Sequence, residues 1–303
     1  DLTQQAVFEA DSYAAITIVK GSISALHAGL ATVYAKVGNI ESNRLYVSVG
    51  EPSDTSSLDG TRAEDLIPHI ADNATEQEFD PMSLAVFTGQ VESKDGAPLS
   101  GVQIGFLGKP DFGSVSTDDN GRFIITGPAG KQTLVYELAD YLVAQRSTIA
   151  ASTSWAILDT VTLLPRDSKQ TWIHLGGDEP QIHQSSIVSD EFGERQATVV
   201  FNHINSAVIR SADGTERPIE EFMFSATEFE TPKSMPGELP NETAFTWASD
   251  LHVEGSHYSD SVYFDGYVVM FIDNFLNFDV GEIVPIGYYD RVQAQWKSSS
   301  NGV

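Results

Sequence analysis

The sequence contains no cysteine. That excludes disulfides, thiolate metal sites and a cysteine nucleophile together. Freedom from cysteine is common among large bacterial surface and secreted proteins, and the composition points in that direction. Basic residues are scarce as well: 17 Lys and Arg stand against 43 Asp and Glu, a formal charge of −26. The few cations are scattered singly, with no run and no stripe. A surface of that sign repels phosphate backbones and anionic headgroups, so nucleic-acid binding and attachment to anionic lipid are both disfavoured. No apolar run approaches the roughly 20 residues that span a bilayer, so no membrane insertion is expected. The opening DLTQQAVFEAD has neither a basic region nor an apolar core. It reads as no signal peptide and, without an initiator Met, as an interior segment of a longer protein. Long helical periodicity is also rare.

What the sequence does have is short β-branched or aromatic runs bounded by Gly, Asn, Asp and Pro. That pattern predicts an all-β fold of tandem β-sandwich modules. With 303 residues, 41% of them hydrophobic, there is enough chain for two or three packed modules. Four stretches separate by composition. Residues 1–50 read as short strands joined by turns at Lys20-Gly21, Ala28-Gly29 and Gly38-Asn39. Residues 51–82 are polar, acidic and strand-poor, apart from one helical turn over Asp65–Ile70, and read as a linker. Residues 83–166 are regular. A strand over Leu84–Val91 leads to a hairpin turn at Lys94-Asp95-Gly96, a strand over Val102–Leu107, a turn at Ser116–Gly121, and four further strands. Residues 167–303 are β-rich but less regular. Strands are expected at Thr198–Phe201, Ala207–Ile209, Phe222–Glu230, Thr243–Val253 and Ser261–Asn274, with a hairpin turn at Asp213-Gly214.

Chemistry is hard to place. There is no G-x-S-x-G elbow, no phosphate loop and no dinucleotide fingerprint, and nothing singles out a pair of carboxylates. The expectation is a protein that is not an enzyme. His252 and His257 in HVEGSH lack a third ligand at useful spacing, and read as histidines near a turn. Asp118, Asp119 and Asn120, followed by Gly121, are a weak calcium candidate; the same letters are ordinary hairpin chemistry. The positive signal is aromatic density after residue 220. Core and docking surface is the preferred reading of those rings, and a sugar-binding platform the alternative. Phe275, Phe278, Pro285, Tyr288, Tyr289 and Trp296 form the expected docking surface. Too many apolar residues lie between 275 and 289 for a free tail, so that stretch is expected to pack on a missing surface or to fold back on its own module.

Three resemblances follow from longer phrases. ISALHAG, ATVYAKVG and NRLYVSV resemble the second half of a bacterial Ig-like domain. FTGQVESKDGAPLSGVQIGFLG, then STDDNGRFIITG, then a corner at Asp140-Tyr141 resemble the carboxypeptidase regulatory-like, or transthyretin-like, domain. Asp140 stands where that family usually has Gly. ERQATVVF, Met235-Pro236-Gly237-Glu238-Leu239-Pro240, and the run from Asn274-Phe275-Leu276 through Val284-Pro285-Ile286-Gly287-Tyr288-Tyr289-Asp290 to Trp296 resemble the region upstream of the shell in Rhs/YD-repeat, teneurin-like proteins. The resemblance implies a fibronectin-like plug at 167–303. It implies a structural and docking segment of a large secreted or surface protein, followed by a propeller or by the YD-repeat shell, which in bacterial members often encloses a toxin. The partner would be the remainder of the same polypeptide. An adhesin binding a glycan or protein ligand is the alternative, and no cofactor is expected.

Overall fold

The computed structural model describes residues 66–75, 79–240 and 245–303, and within the first sixty residues six strands. These strands are β1 (Val7–Ala10), β2 (Ile16–Val19), β3 (Ser22–Ala25), β4 (Gly29–Val37), β5 (Ile40–Glu41) and β6 (Leu45–Val49). They belong to a unit of their own, Asp1–Gly60. β4 is its centre and pairs antiparallel with β1, β5 and β6, while β2 pairs with β3. Tyr34 donates its hydroxyl to Glu9 Oε2 across the β1–β4 pair at 3.1 Å. The turns expected at Lys20-Gly21 and Gly38-Asn39, residue Ala28 of the third, and the linker over 51–65 lie outside the described residues.

The second unit, Thr61–Val303, begins with a two-sheet sandwich. Its strands are β7 (Leu84–Ser93), β8 (Gln103–Phe106), β9 (Ser114–Ser116), β10 (Arg122–Pro128), β11 (Gly130–Glu137), β12 (Ala144–Ala150), β13 (Trp155–Ile157) and β14 (Val161–Leu163). β7 pairs antiparallel with β10 and parallel with β13 and β14. The facing sheet runs β12-β11-β8-β9. The expected turn at Lys94–Gly96 forms, with Ser93 N–H donating to Ala97 O at 2.8 Å. It is not, however, the bend of an extended hairpin. One bridge, Glu92 with Pro98, closes it, and the chain then crosses to the other sheet. The crossing after β10 needs a glycine. A Cβ on Gly127 would lie 2.1 Å from the Phe106 ring. Phe87, Phe106, Phe123 and Tyr136 fill the space between the sheets in edge-to-face pairs. At the Asp140 corner φ is +65°, the left-handed region that Gly enters without steric cost.

The linker expectation fails over its second half. Ile67–His69 is a single 3₁₀ turn within the expected helical stretch, and it carries the fully buried Leu66 onto the sandwich. Leu66 packs with Leu84 and Val86, flanked by Phe79 and Phe112. Thr126 Oγ1 donates to Leu66 O, and Thr75 Oγ1 to Asp111 Oδ1. The cause lies in β7. Its opening Leu-Ala-Val-Phe is buried on both faces, so the face turned away from the sandwich core needs a cover.

The remaining strands are β15 (Thr171–His174), β16 (Gln181–Gln184), β17 (Val188–Asp190), β18 (Gly193–Arg195), β19 (Ala197–Asn202), β20 (Ala207–Arg210), β21 (Glu216–Ile219), β22 (Glu221–Glu228), β23 (Ser249–Val253), β24 (Ser261–Phe264), β25 (Tyr267–Ile272), β26 (Gly287–Asp290) and β27 (Gln295–Ser298). They form sheets β15-β22-β23, β16-β19-β25 and β21-β20-β24, and hairpins β17-β18 and β26-β27. Ile173, Val199, Phe201, Phe222, Phe224 and Val253 are the centre of the core. The single strand expected over Ser261–Asn274 is two strands in different sheets. Asp265 fixes the break: its carboxylate accepts from Asn205 N–H at 2.9 Å, and its own N–H donates to Ser206 O. Of the strand expected over Thr243–Val253, only Ser249–Val253 is strand among the described residues.

Candidate interaction surface

The sandwich and the last module share a core. Leu142 and Leu164 from the first meet Phe229 and Met235 from the second, with Leu239, Phe245 and Trp296 against them. Arg146, on edge strand β12, reaches over this junction. Its Nη2 donates to Lys233 O at 2.8 Å, and its Nη1 to Met235 O at 3.1 Å and Pro236 O at 3.4 Å. Burial lowers the pKa of this guanidinium, which faces carbonyl oxygens rather than a carboxylate. Gln145 N–H donates to Pro236 O at 2.7 Å. The 233–236 segment thereby covers part of an edge that would otherwise present free backbone groups.

The β26-β27 hairpin seats on the same edge. Tyr289 donates its hydroxyl to Gln145 Oε1 at 3.0 Å, and Gln145 Nε2 donates to Arg291 O. Arg291 donates to Val143 O and to Asp250 Oδ2. Trp296 Nε1 donates to Gly237 O at 3.3 Å. The Tyr289 ring lies so close to Gly237 that a Cβ there would approach it to 2.4 Å, so Gly237 is required for the seat. Burial pushes the Tyr289 hydroxyl up to about 12.

The six residues expected to dock elsewhere thus divide. Tyr289 and Trp296 fold back onto their own unit. Phe275 lies under a guanidinium, with Arg195 Cζ 4.4 Å from its ring centroid. Phe278, Pro285 and Tyr288 stay exposed, and Val280, Ile283 and Ile286 are exposed around them. The stretch between is pinned rather than loose. Asn274 brackets Phe278 with two hydrogen bonds, and Val284 exchanges two with Gly302.

Arg195 belongs to a second polar centre. It is 4% exposed and pairs with Glu228, 8% exposed, and with Asp190 at 2.8 Å. The hydrogen bond to Asp190 is the first cause of its raised pKa. Trp247 Nε1 donates to the other oxygen of Glu228 at 3.0 Å, so Trp247 is no free platform. Beside this centre a polar cleft of about 400 Å³ is lined by Lys94, Arg166, Asp167, Ser186, Asp190 and Glu230. Two of its charges are already matched, Lys94 with Glu230, and Asp167 with the Ser186 hydroxyl and N–H. Neither Arg146 nor Arg195 stands out in the sequence. Each is an isolated cation: the Arg146 partners lie 87 to 90 positions away, and Arg195 joins the nearby Asp190 to Glu228, 33 positions on.

His183 is a structural histidine. It is fully buried, accepts from Ala226 N–H at Nε2, and so carries its proton on Nδ1 toward Thr171 Oγ1 at 3.0 Å. Burial lowers its pKa, and burial first, then Arg166, lowers that of His252. The folded state therefore binds fewer protons than the unfolded chain. This stability is complete above the ordinary histidine pKa of 6.5 and is lost as pH falls below it. Urea midpoints should fall between pH 7 and 5, and His183→Gln should flatten that fall. An unchanged slope in the variant would show that His183 is not the group responsible.

His252 and His257 do not converge. His252 lies by Glu254, and His257 by Glu137 of the sandwich. The Asp118 loop is turn chemistry. Asp118 Oδ1 accepts from Asn120 N–H and Arg122 N–H, and the Arg122 bond is the first cause of its lowered pKa. Asp119 accepts from Ser100, and Asn120 O from Gln90. Among the described residues no three His, Asp or Glu gather as metal ligands. No helix among them is long and apolar enough to cross a membrane.

Two facing sheets, a glycine-dependent crossing after β10 and a left-handed corner at Asp140 make up the sandwich. Residues 79–163 match the family described as Teneurin TTR-like domain. A module of this kind is structural or adhesive, and a catalytic role is not indicated for it. Teneurin-3 of Danio rerio is 32% identical over 89 residues, which is 29% of this chain and 3% of the length of that relative. Among solved structures, a streptococcal ancillary pilin aligns over 80% of this chain and 77% of its own, with 13% identity and a TM-score of 0.25. The Bacillus anthracis TIE protein aligns over 75% of this chain and 38% of its own, with 11% identity and a TM-score of 0.25. Likenesses this slight do not bear on function.

Proposed function

We propose that the chain is a non-catalytic docking segment of a large extracellular or surface protein of the Rhs/YD-repeat, teneurin-like kind. In this reading the transthyretin-like module and the last module act as one block. Their shared core and the Arg146 clamp support that. The block presents the 275–288 stretch to the shell or propeller of its own polypeptide, as a plug or buttress for a shell that encloses a toxin. The first unit is half of a bacterial Ig-like domain. One observation carries the docking reading. Phe278, Pro285 and Tyr288 remain exposed on a segment whose backbone is pinned at both ends. A pre-ordered apolar surface loses little conformational entropy when it is covered.

The test is Phe278→Glu with Tyr288→Glu, two positions whose side chains contribute little to the chain's own core. Affinity for the separately expressed shell segment of the full-length protein should fall at least tenfold, with the urea midpoint unchanged. Equal affinity would remove the docking reading. The adhesin alternative has its own support, since Trp172 is half exposed and stacks at 14° to His174 on edge strand β15. A specific glycan-array signal lost in Trp172→Ala would move the assignment there.

A further inference from the structure

We infer that β25 receives an extended strand from a partner, and that this strand carries Lys or Arg at its ends. This deepens the docking reading and rests on it, because both place a partner on the last module.

Strand β25 is the edge of β16-β19-β25, and its outer edge pairs with nothing among the described residues. Natural edges are blunted by charge, proline or a bulge. Tyr-Val-Val-Met-Phe-Ile has none of these. Burial decays toward that edge. In the row His183–Val199–Met270 the first two side chains are fully buried and Met270 is 40% exposed. Ile272, beside the buried Ala197, is 37% exposed. These residues point toward the core, so the core is uncovered along this side. The outer face is apolar as well, with Ile182, Val200 and Val269 in one row and Phe271 next to it. A surface that offers unpaired backbone groups with apolar side chains on both faces fits one kind of occupant, an added strand.

Charge decides which strand. Asp265 precedes β25 and Asp273 follows it, on a chain of formal charge −26. A second copy paired antiparallel would bring Asp265 of one chain near Asp273 of the other. A partner strand with basic flanks meets both carboxylates favourably.

The probe is a synthetic peptide of six alternating Val and Thr residues with two Lys at each end, read by hydrogen exchange of the full chain. Exchange of the outward β25 amides should slow about tenfold. It should not slow with the same peptide flanked by Glu, with a peptide N-methylated at all six Val and Thr residues, which leaves neither edge a donor, or in Val269→Lys, which places a charge on the outer face. Equal protection by the N-methylated peptide would reduce the site to a non-specific apolar patch and overturn strand addition. Protection of β25 in the chain alone, rising with its concentration, would name a second copy as the occupant and overturn the basic partner. No protection at any peptide concentration would also overturn it. The docking reading is scored separately by the Phe278 and Tyr288 variants, which leave β25 intact.

Discussion

Replacing Arg195 by alanine should destabilise the Thr61–Val303 unit by about 3–5 kcal/mol, the cost of leaving one member of a buried ion pair without its partner. Glu228 is the member left behind. It is nearly as buried as Arg195, and the Trp247 indole alone cannot neutralise it. The same change removes the cation from the Phe275 ring. Arg195→Lys should fall between, because a single ammonium keeps the charge but loses the fork that spans Glu228 and Asp190. Replacing both Arg195 and Glu228 by methionine should recover most of the loss. Urea denaturation at pH 7 reads all four chains. A loss below about 1 kcal/mol for Arg195→Ala would mean that the pair behaves as an exposed one.

The second large effect concerns Arg146. Its three bonds to the 233–236 carbonyls are charge-assisted, each contributing about 1.5–3 kcal/mol, and they are not additive because one side chain makes them all. Arg146→Ala should cost about 3 kcal/mol. The loss should also be local. Exchange of the Gln145 amide, which donates to Pro236, and of the β26-β27 amides should accelerate. Exchange of the β7 and β11 amides in the sandwich should not. Calorimetry should show one transition dividing into two as the modules uncouple. Uniform acceleration throughout the unit would show that the clamp stabilises the whole fold rather than the junction.

The all-β class and most strands of the sandwich were legible in the sequence, because alternation and turn residues act locally. The assignment of strands to sheets was not. Alternation reports which face of a strand is buried, but not which strand lies beside it, so Lys94–Gly96 read as an ordinary hairpin turn. The Leu84–Phe87 run held an unused clue. Four apolar residues in succession signal burial on both faces, and therefore a cover, which the segment around Leu66 supplies. In the candidate surface, Tyr288 and Tyr289 could have been separated by the period of two, since neighbours on a strand point to opposite sides. The density of aromatics hid that alternation. Arg146 left no trace, because the oxygens it holds lie 87 to 90 positions away.

The parallel pairing of β13 and β14 with β7 governs when the sandwich can form. A chain emerging from a ribosome at about 5–20 residues per second exposes β7 several seconds before the strands that flank it exist. Until residue 163 has emerged, the two-faced apolar strand has no complete sheet to enter. High contact order of this sort slows folding and lengthens exposure to aggregation. The segment around Leu66 is made earlier than β7, so a cover for one of its faces is on hand first.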